Sequence, residues 1–191
     1  IDRPFPALYG SATMETVLGI DLGTQSLKVV FYDYEARQLA AAASSPLDVL
    51  RDHSGRAEQE AVWWLDALRS ALGQVPEEVR MSAQTVGVSG QQHGFVPVGA
   101  DGQVLAPVKL WCDTSTQAEV DEITAACGGR DRCIEYAGNP VLAGYTASKI
   151  RWFGKQHPSR YREMAHIMLP HDFLNFVLSG VAAMEFGDAS G

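Results

Sequence analysis

The chain has 191 residues, of which 46% are hydrophobic, and its formal net charge is −8. This length suits one large domain or one and a half small ones, and this apolar fraction is enough for a sizeable core. The acidic balance argues against general nucleic-acid binding, which needs a basic face, and the lack of any apolar run of about 18 residues argues against a membrane span.

Residues 1–13 differ in character from the rest of the chain. They include two prolines and show no periodicity, so we interpret them as a leader or arm, with Met14 as a candidate start. Cys112, Cys127 and Cys133 are odd in number and form no CxxC pair, which favours a reducing cytoplasm over secretion. Cys127 and Cys133 would need distant ligands to hold a metal, because their spacing is not that of zinc sites.

Residues 19–28 (GIDLGTQSLK) predict a strand, a tight turn and a second strand. Backbone N–H groups in a tight turn bind anions, and a glycine lets the chain approach such a ligand closely. The residues that we expect to contact a nucleotide phosphate are Gly23, Thr24, Gln25 and Ser26. Asp21 would repel a bare phosphate, so we expect it to bind Mg²⁺ through water. A polar hairpin turn with no ligand is the alternative.

The chain then predicts a weak third strand over residues 38–44 and a helix from near Glu58 to about Gly73. This helix places acidic residues in its first turn, where the helix dipole favours them. Its core-facing residues, which recur at helical spacing, are Trp64, Leu68, Ala71 and Leu72.

Residues 85–89 predict a short buried strand, which ends at the polar segment Gly90-Gln91-Gln92-His93-Gly94. Ligands of open α/β sheets bind at the carboxyl ends of strands, so Gln92 and His93 are candidate site residues. An amide both donates and accepts hydrogen bonds, and an imidazole can orient a polyol hydroxyl or act as a base. The alternative is that they are polar loop residues without a ligand.

Apolar and polar residues alternate over residues 95–111 on either side of Asp101 and Gly102, which predicts a hairpin with its turn at these two residues. Thr114 then predicts a helix start, with Glu119 on the exposed face of that helix. Asp113 has two interpretations, either as the cap of this helix or, with Trp111, as part of a sugar pocket. The spacing does not decide between them.

Two further helices are predicted towards the end of the chain. Residues 144–153 form the first, and residues 172–178 form the second, which Gly180 ends. A short strand over residues 166–169 lies between them.

Six motifs follow one another as in the FGGY carbohydrate kinases, and the chain resembles that family from about Thr16 to its last residue. In chain order the motifs are GIDLGTQSLK (19–28), SGQQHG (89–94), LWCD (110–113), GYTASKIRWF (144–153), LPHDFLNFVLSG (169–180) and DASG (188–191). Each motif is moderately specific, and six in order are strongly so. SGQQHG resembles the branch that phosphorylates D-xylulose, because members that act on glycerol carry an Arg-Glu pair there.

The resemblance implies an α/β fold of the ribonuclease-H-like (actin-like ATPase) class, with a mixed sheet and flanking helices. It also implies ATP as co-substrate, Mg²⁺ as cofactor, and a ketose bound to the first of two domains. The turn from Asp21 to Ser26 would meet Mg²⁺ and the transferring phosphoryl group. Gln92 and His93 would contact the ketose, and Trp111 and Asp113 would shape its pocket.

The resemblance further implies that residues 14–191 are the N-terminal part of an incomplete first domain. The family's catalytic aspartate and its second, ATP-binding domain would lie beyond Gly191, so we assign no catalytic base within the chain and expect the fragment alone to be inactive. Asp188 belongs to a motif that we interpret as structural.

Three functions therefore stay open from the sequence. The first is phosphorylation of D-xylulose to D-xylulose 5-phosphate by the complete enzyme, and the second is the same reaction on another ketose or polyol, such as D-ribulose or glycerol. The third is sugar binding without catalysis. The expected partners are a small-molecule ketose and ATP, without nucleic acid or membrane, and a homodimer is a possible assembly.

Overall fold

The structure of the protein, a computed structural model, describes residues 14–185 and residue 187. The predicted leader and the segment that begins at Asp188 lie outside the described residues. Four strands form the central sheet in the order β3-β2-β1-β6, and their bounds are β1 (Thr16–Leu22), β2 (Ser26–Asp33), β3 (Gln38–Pro46) and β6 (Ala83–Gly90). The first three are antiparallel, whereas β6 runs parallel to β1. The sheet is therefore mixed, and the predicted opening hairpin and third strand are confirmed.

The core lies on one face of this sheet, as the alternation of apolar residues in β1 and β2 requires. The pairs that point into it are Leu18–Phe31, Ile20–Val29 and Leu22–Leu27. Helix α1 (Ala61–Gly73) covers this face and contacts β2 and β3. Trp64 and Ala71 of α1 are fully buried, which confirms the helical spacing predicted for its core side.

Two smaller sheets attach to the central one. The first has the order β4-β5-β8, with β4 (Leu50–Arg51), β5 (Ala57–Gln59) and β8 (Val108–Lys109), and the second pairs β7 (Val96–Gly99) with β9 (Met164–Met168). The remaining helices are α2 (Glu77–Met81), α3 (Gln117–Cys127), α4 (Arg130–Ala137), α5 (Thr146–Gln156), α6 (Pro158–Glu163) and α7 (Pro170–Ser179). None of the helices within residues 14–185 has the length and apolarity that a membrane crossing requires.

The predicted helix near Glu58 is wrong at its start. Glu58 belongs to the strand β5, where it pairs with Lys109 of β8, and α1 begins only at Ala61. The Glu58 carboxylate is buried and lies 2.9 Å from the Lys109 ammonium. A buried ion pair and a strand ladder outweigh the weak preference of an acidic residue for the first turn of a helix.

The strand predicted over residues 85–89 exists, but it is not buried. It is β6, which lies at an edge of the central sheet, and 49% of Val86 is exposed. A run of apolar residues cannot distinguish a central strand from an edge strand, because that difference depends on what packs on either side.

The predictions between residues 95 and 119 are right in part. The turn at Asp101 and Gly102 forms, but β7 pairs mainly with β9, a strand distant in sequence. The helix predicted from Thr114 begins at Gln117. Glu119 is only 4% exposed, and its carboxylate receives a 2.8 Å hydrogen bond from Lys155 of α5.

Two glycine substitutions are expected to change the free energy of unfolding in opposite directions. Gly55 has a φ of +88°, and a Cβ there would meet the Thr114 hydroxyl, so Gly55→Ala should destabilise the protein by at least about 1 kcal/mol. Gly73 ends α1 with open space around it, so Gly73→Ala should stabilise the protein by about 0.5–1 kcal/mol. Denaturant unfolding of both variants measures the difference, and equal effects would contradict this account.

Candidate functional site

The turn between β1 and β2 is bound to three other segments through Thr24. The Thr24 hydroxyl donates to Oε1 of Gln91 (3.1 Å) and accepts from Nε1 of Trp111 (2.9 Å). The backbone carbonyl of Thr24 accepts a hydrogen bond from Nε2 of Gln59 at 2.9 Å. The turn predicted to bind phosphate is thus joined directly to the SGQQHG and LWCD motifs. The Thr24 hydroxyl proton is directed to Gln91, so its side chain holds these segments together.

A buried amide network lies beneath this turn. Nε2 of the fully buried Gln59 also donates to the carbonyl of Asp48 (2.8 Å), while its Oε1 accepts from Nε1 of Trp64 (2.9 Å) and Nε2 of Gln91 (3.1 Å). The amide is therefore satisfied on both its donor and its acceptor side, as a buried polar group must be. Gln59 stands in no motif and was not predicted, and Gln91 was not singled out although it stands within SGQQHG.

The backbone of the turn makes two further hydrogen bonds, one within the turn and one with Leu47. The Gly23 N–H donates to the Ser26 carbonyl (3.1 Å), and the Gln25 carbonyl accepts from the Leu47 N–H (2.9 Å). A Cβ at Gly23 would lie only 3.0 Å from the Ser26 carbonyl oxygen, so a side chain at this position would crowd the turn. The Gly23 N–H is already used within the turn. Binding of a phosphate by the remaining backbone N–H groups stays a prediction.

Asp21 lies on the face of the central sheet opposite the core. Its carboxylate is 51% exposed and lies 3.7 Å from the Lys28 ammonium, and its partner in β6 is Ser89. One open carboxylate suits Mg²⁺, which commonly keeps several waters and takes its other ligands from substrate phosphates. Among the described residues no cluster of three or more His, Cys, Asp or Glu side chains could hold a metal by itself.

His93 adopts a backbone conformation that is rare outside glycine, with a φ of +55°. Its carbonyl accepts hydrogen bonds from Nζ of Lys149 (2.8 Å) and Oγ1 of Thr146 (3.2 Å). The imidazole packs on the ring of Tyr145, with 4.5 Å between the ring centroids. Gln92, the other predicted ketose residue in this motif, is exposed.

Lys149 is a fully buried lysine that the sequence analysis did not single out. Its ammonium donates to the Gly144 carbonyl (2.6 Å) as well as to His93. Burial lowers the pKa of Lys149 to about 7, although the negative charge of Asp113 acts in the opposite direction. The helix predicted over residues 144–153 begins at Thr146, which leaves Gly144 and Tyr145 in the preceding turn.

Trp111 contacts both the turn at Thr24 and the turn at Gly144. Half of its surface is exposed (50%), and its indole N–H reaches Thr24. A Cβ at Gly144 would lie 2.9 Å from the Trp111 carbonyl oxygen, so the two backbones are in close contact. Thr24, Trp111 and His93 are therefore linked through the turn at Gly144 and Tyr145. The indole is open to solvent, and its contact with a sugar stays a prediction.

Asp113 is fully buried and does not cap a helix, because α3 begins after Thr116. One of its oxygens accepts from the Ala57 N–H (2.8 Å) and Nζ of Lys109 (3.2 Å). The other accepts from the N–H (2.9 Å) and the hydroxyl (2.6 Å) of Ser115. These bonds hold the loop after Trp111 in place. A direct contact of Asp113 with a sugar stays a prediction.

Comparison with known proteins identifies relatives along almost the whole described chain. Residues 16–191 match the FGGY family of carbohydrate kinases, N-terminal domain. The chain is 37% identical over 181 residues to a xylulose kinase from Haemophilus influenzae, a match that covers 91% of this chain and 37% of that protein. It is 31% identical to a xylulose kinase from Escherichia coli, with 91% of this chain and 35% of that protein covered. The chain thus spans little more than a third of these curated relatives.

Solved structures agree with this assignment. A xyloylose kinase from Brucella ovis superposes with a TM-score of 0.84 at 32% identity, over 93% of this chain and 37% of that one. A glycerol kinase from Plasmodium falciparum superposes with a TM-score of 0.82 at 21% identity, over 93% of this chain and 37% of that one, which bears on the fold alone. The predicted fold class, an actin-like α/β fold with a mixed sheet and flanking helices, is confirmed.

Replacing Lys109 by methionine is expected to destabilise the protein strongly. The Lys109 ammonium lies between the buried carboxylates of Glu58 and Asp113. Its loss leaves the buried Asp113 carboxylate without a cation and leaves Glu58 with Arg56 alone. We expect a loss of about 3–5 kcal/mol in the free energy of unfolding, measured in denaturant. The control is Arg69→Met, which removes an exposed ion pair with Asp66 and should change little. Similar losses in both variants would contradict the role given to burial.

The side chain of Lys149 is expected to titrate near neutral pH. Its folded pKa of about 7 lies below the ordinary value of 10.5, so folding releases a proton between these two pH values. The cost of burying the ammonium therefore disappears as the pH rises through this window, and stability increases. The ¹³Cε resonance of Lys149, assigned by its loss in Lys149→Arg, measures the midpoint by NMR. A midpoint near that of an exposed lysine would overturn this prediction.

Proposed function

The chain belongs to the FGGY family of carbohydrate kinases, and on this premise we propose that the full-length protein transfers the γ-phosphoryl group of ATP to D-xylulose. The observation that carries the proposal is the pair of hydrogen bonds on the Thr24 hydroxyl. They join the predicted phosphate turn to Trp111 and to Gln91, the neighbour of the predicted ketose residues. Transfer between two substrates requires their binding groups to lie side by side in this way.

On the nucleotide side, the turn from Gly23 to Ser26 binds the transferring phosphate with its backbone. Asp21 holds Mg²⁺ through water, and the ion, when bound, neutralises part of the phosphate charge. The ammonium of Lys28 lies on the same face of the sheet and adds a second positive charge there. Phosphoryl transfer depends on positioning and charge neutralisation, and these residues supply both.

On the sugar side, Gln92 and His93 hydrogen-bond the hydroxyls of the ketose, and the exposed indole of Trp111 packs against its carbon skeleton. Asp113 contributes by fixing the loop that carries Trp111, since its observed hydrogen bonds are to protein groups. A sugar held by hydrogen bonds is selected by its hydroxyls, because an analogue that lacks one leaves a polar group of the site unpaired.

We assign residues 14–191 to the first part of the sugar-binding domain. The general base that removes the proton from the attacking hydroxyl, and the groups that bind adenosine, are assigned to the remainder of the full-length protein. The length of the xylulose kinase relatives, of which this chain spans little more than a third, supports that division.

The experiment that tests this function is a phosphoryl-transfer assay on the full-length protein with MgATP and a panel of acceptors. D-xylulose, D-ribulose, gluconate and glycerol separate the proposed substrate from those of other kinases with this fold. We expect the highest kcat/KM with D-xylulose. A higher value for another acceptor would reassign the substrate, and ketose binding without ADP release would favour a binding protein without catalysis.

Two substitutions in the full-length protein are expected to separate the two halves of the site. His93→Ala should raise the KM for the ketose about tenfold or more and leave the affinity for ATP nearly unchanged, because His93 is assigned to the sugar alone. Asp21→Ala should lower kcat with every accepted sugar. His166→Ala, at an exposed histidine of β9, is the matched control for the first. Equal loss of sugar and nucleotide affinity in His93→Ala would mean that His93 is structural.

A further inference from the structure

The turn that carries His93 and the turn that precedes α5 share one cation. Lys149 of α5 donates from a single ammonium to the carbonyls of His93 (2.8 Å) and Gly144 (2.6 Å). The amino group of a lysine has three N–H donors when protonated and two when neutral, so in either state it can hold two carbonyls in a fixed relation. In the part of the chain that the structure describes, these two carbonyls are the hydrogen-bond partners of the Lys149 ammonium.

His93 is one of the predicted sugar-pocket residues, and Gly144 contacts another, Trp111. His93 has a disfavoured positive φ, and its ring rests on Tyr145, the residue after Gly144. Gly144 itself lies against the backbone of Trp111. A cation that fixes the His93 and Gly144 carbonyls therefore fixes the imidazole, the ring beneath it and the backbone that presents the indole.

A buried charge is costly, and an apolar side chain of similar size would fill the same space at lower cost. Methionine, however, donates no hydrogen bond, so it would leave the two turns without their common donor. Thr146 supports the same arrangement more weakly, since its hydroxyl donates to the His93 carbonyl at 3.2 Å. The first turn of α5 thus supplies two donors to one carbonyl of the SGQQHG motif.

We propose that Lys149 is the positioning residue of the sugar site, acting through the backbone of His93 and Gly144 and without touching the sugar. The proposal deepens the proposed function and rests on it, because it takes His93 as a ketose-binding residue. It assigns Lys149 to sugar recognition and not to the binding of ATP.

The test is a double-mutant cycle in the full-length protein, with the KM for D-xylulose, the KM for ATP and kcat measured for each variant. Lys149→Met should raise the KM for the ketose at least about tenfold while the KM for ATP stays within about twofold. If Lys149 acts through His93, then the additional effect of Lys149→Met in a His93→Ala background should fall to about threefold or less. Arg151→Met, which removes an exposed cation of the same helix, is the control and should change neither KM.

Thr146→Val keeps the test decisive if Lys149→Met does not fold. This near-isosteric change removes the weaker donor to the His93 carbonyl, and it should raise the KM for the ketose about twofold to fivefold without changing that for ATP. An unchanged KM for the ketose in Thr146→Val and Lys149→Met, or a full effect of Lys149→Met in the His93→Ala background, overturns the positioning role. If His93→Ala alone leaves ketose use intact, the sugar site assigned under the proposed function fails instead.

Discussion

The arrangement of the site depends on the buried amide of Gln59. This one side chain binds the turn at Thr24, the loop at Asp48, the indole of Trp64 in α1 and the amide of Gln91 at the end of β6. Each partner comes from a different part of the chain, and each contributes a polar group that would be costly to bury alone. Because an amide has donors on one side and an acceptor on the other, it satisfies all four and fixes their relative positions.

Two buried lysines also join separate segments around the candidate site. Lys109 joins β5, β8 and the loop after Trp111 through Glu58 and Asp113, and it also lies 4.1 Å from the centroid of the Trp152 ring in α5. Lys149 joins the two turns around His93. Neither ammonium is open to solvent, so both act on a ligand only through the segments that they hold. The predicted site residues Asp21, Gln92 and Trp111 have exposed side chains.

The predicted site residues divide into two groups once their contacts are known. Asp21, Gln92, His93 and Trp111 keep exposed or half-buried side chains, whereas Thr24 and Asp113 use their side chains within the protein. The sequence patterns contained no sign of this division, because an aspartate that binds a sugar and one that binds a loop backbone have the same chemistry. Gln59 and Lys149 could not be predicted for a related reason, since each depends on a contact with a residue distant in sequence. Gln59 contacts Gln91, 32 positions away, and Lys149 contacts His93, 56 positions away.

The sequence by itself determined the elements whose signals are local. Alternating apolar residues specified the hairpin of β1 and β2, helical spacing specified the core side of α1, and Gly180 marked the end of α7 with its positive φ. The order of the motifs identified the family, which the comparisons confirm. Only the tertiary structure decided that residues 57–59 form a strand, that β6 lies at a sheet edge and that Glu119 is buried. In each case the deciding interaction joins residues distant in sequence, and burial changes the free energy of a charge or of an unpaired strand by more than any local preference does.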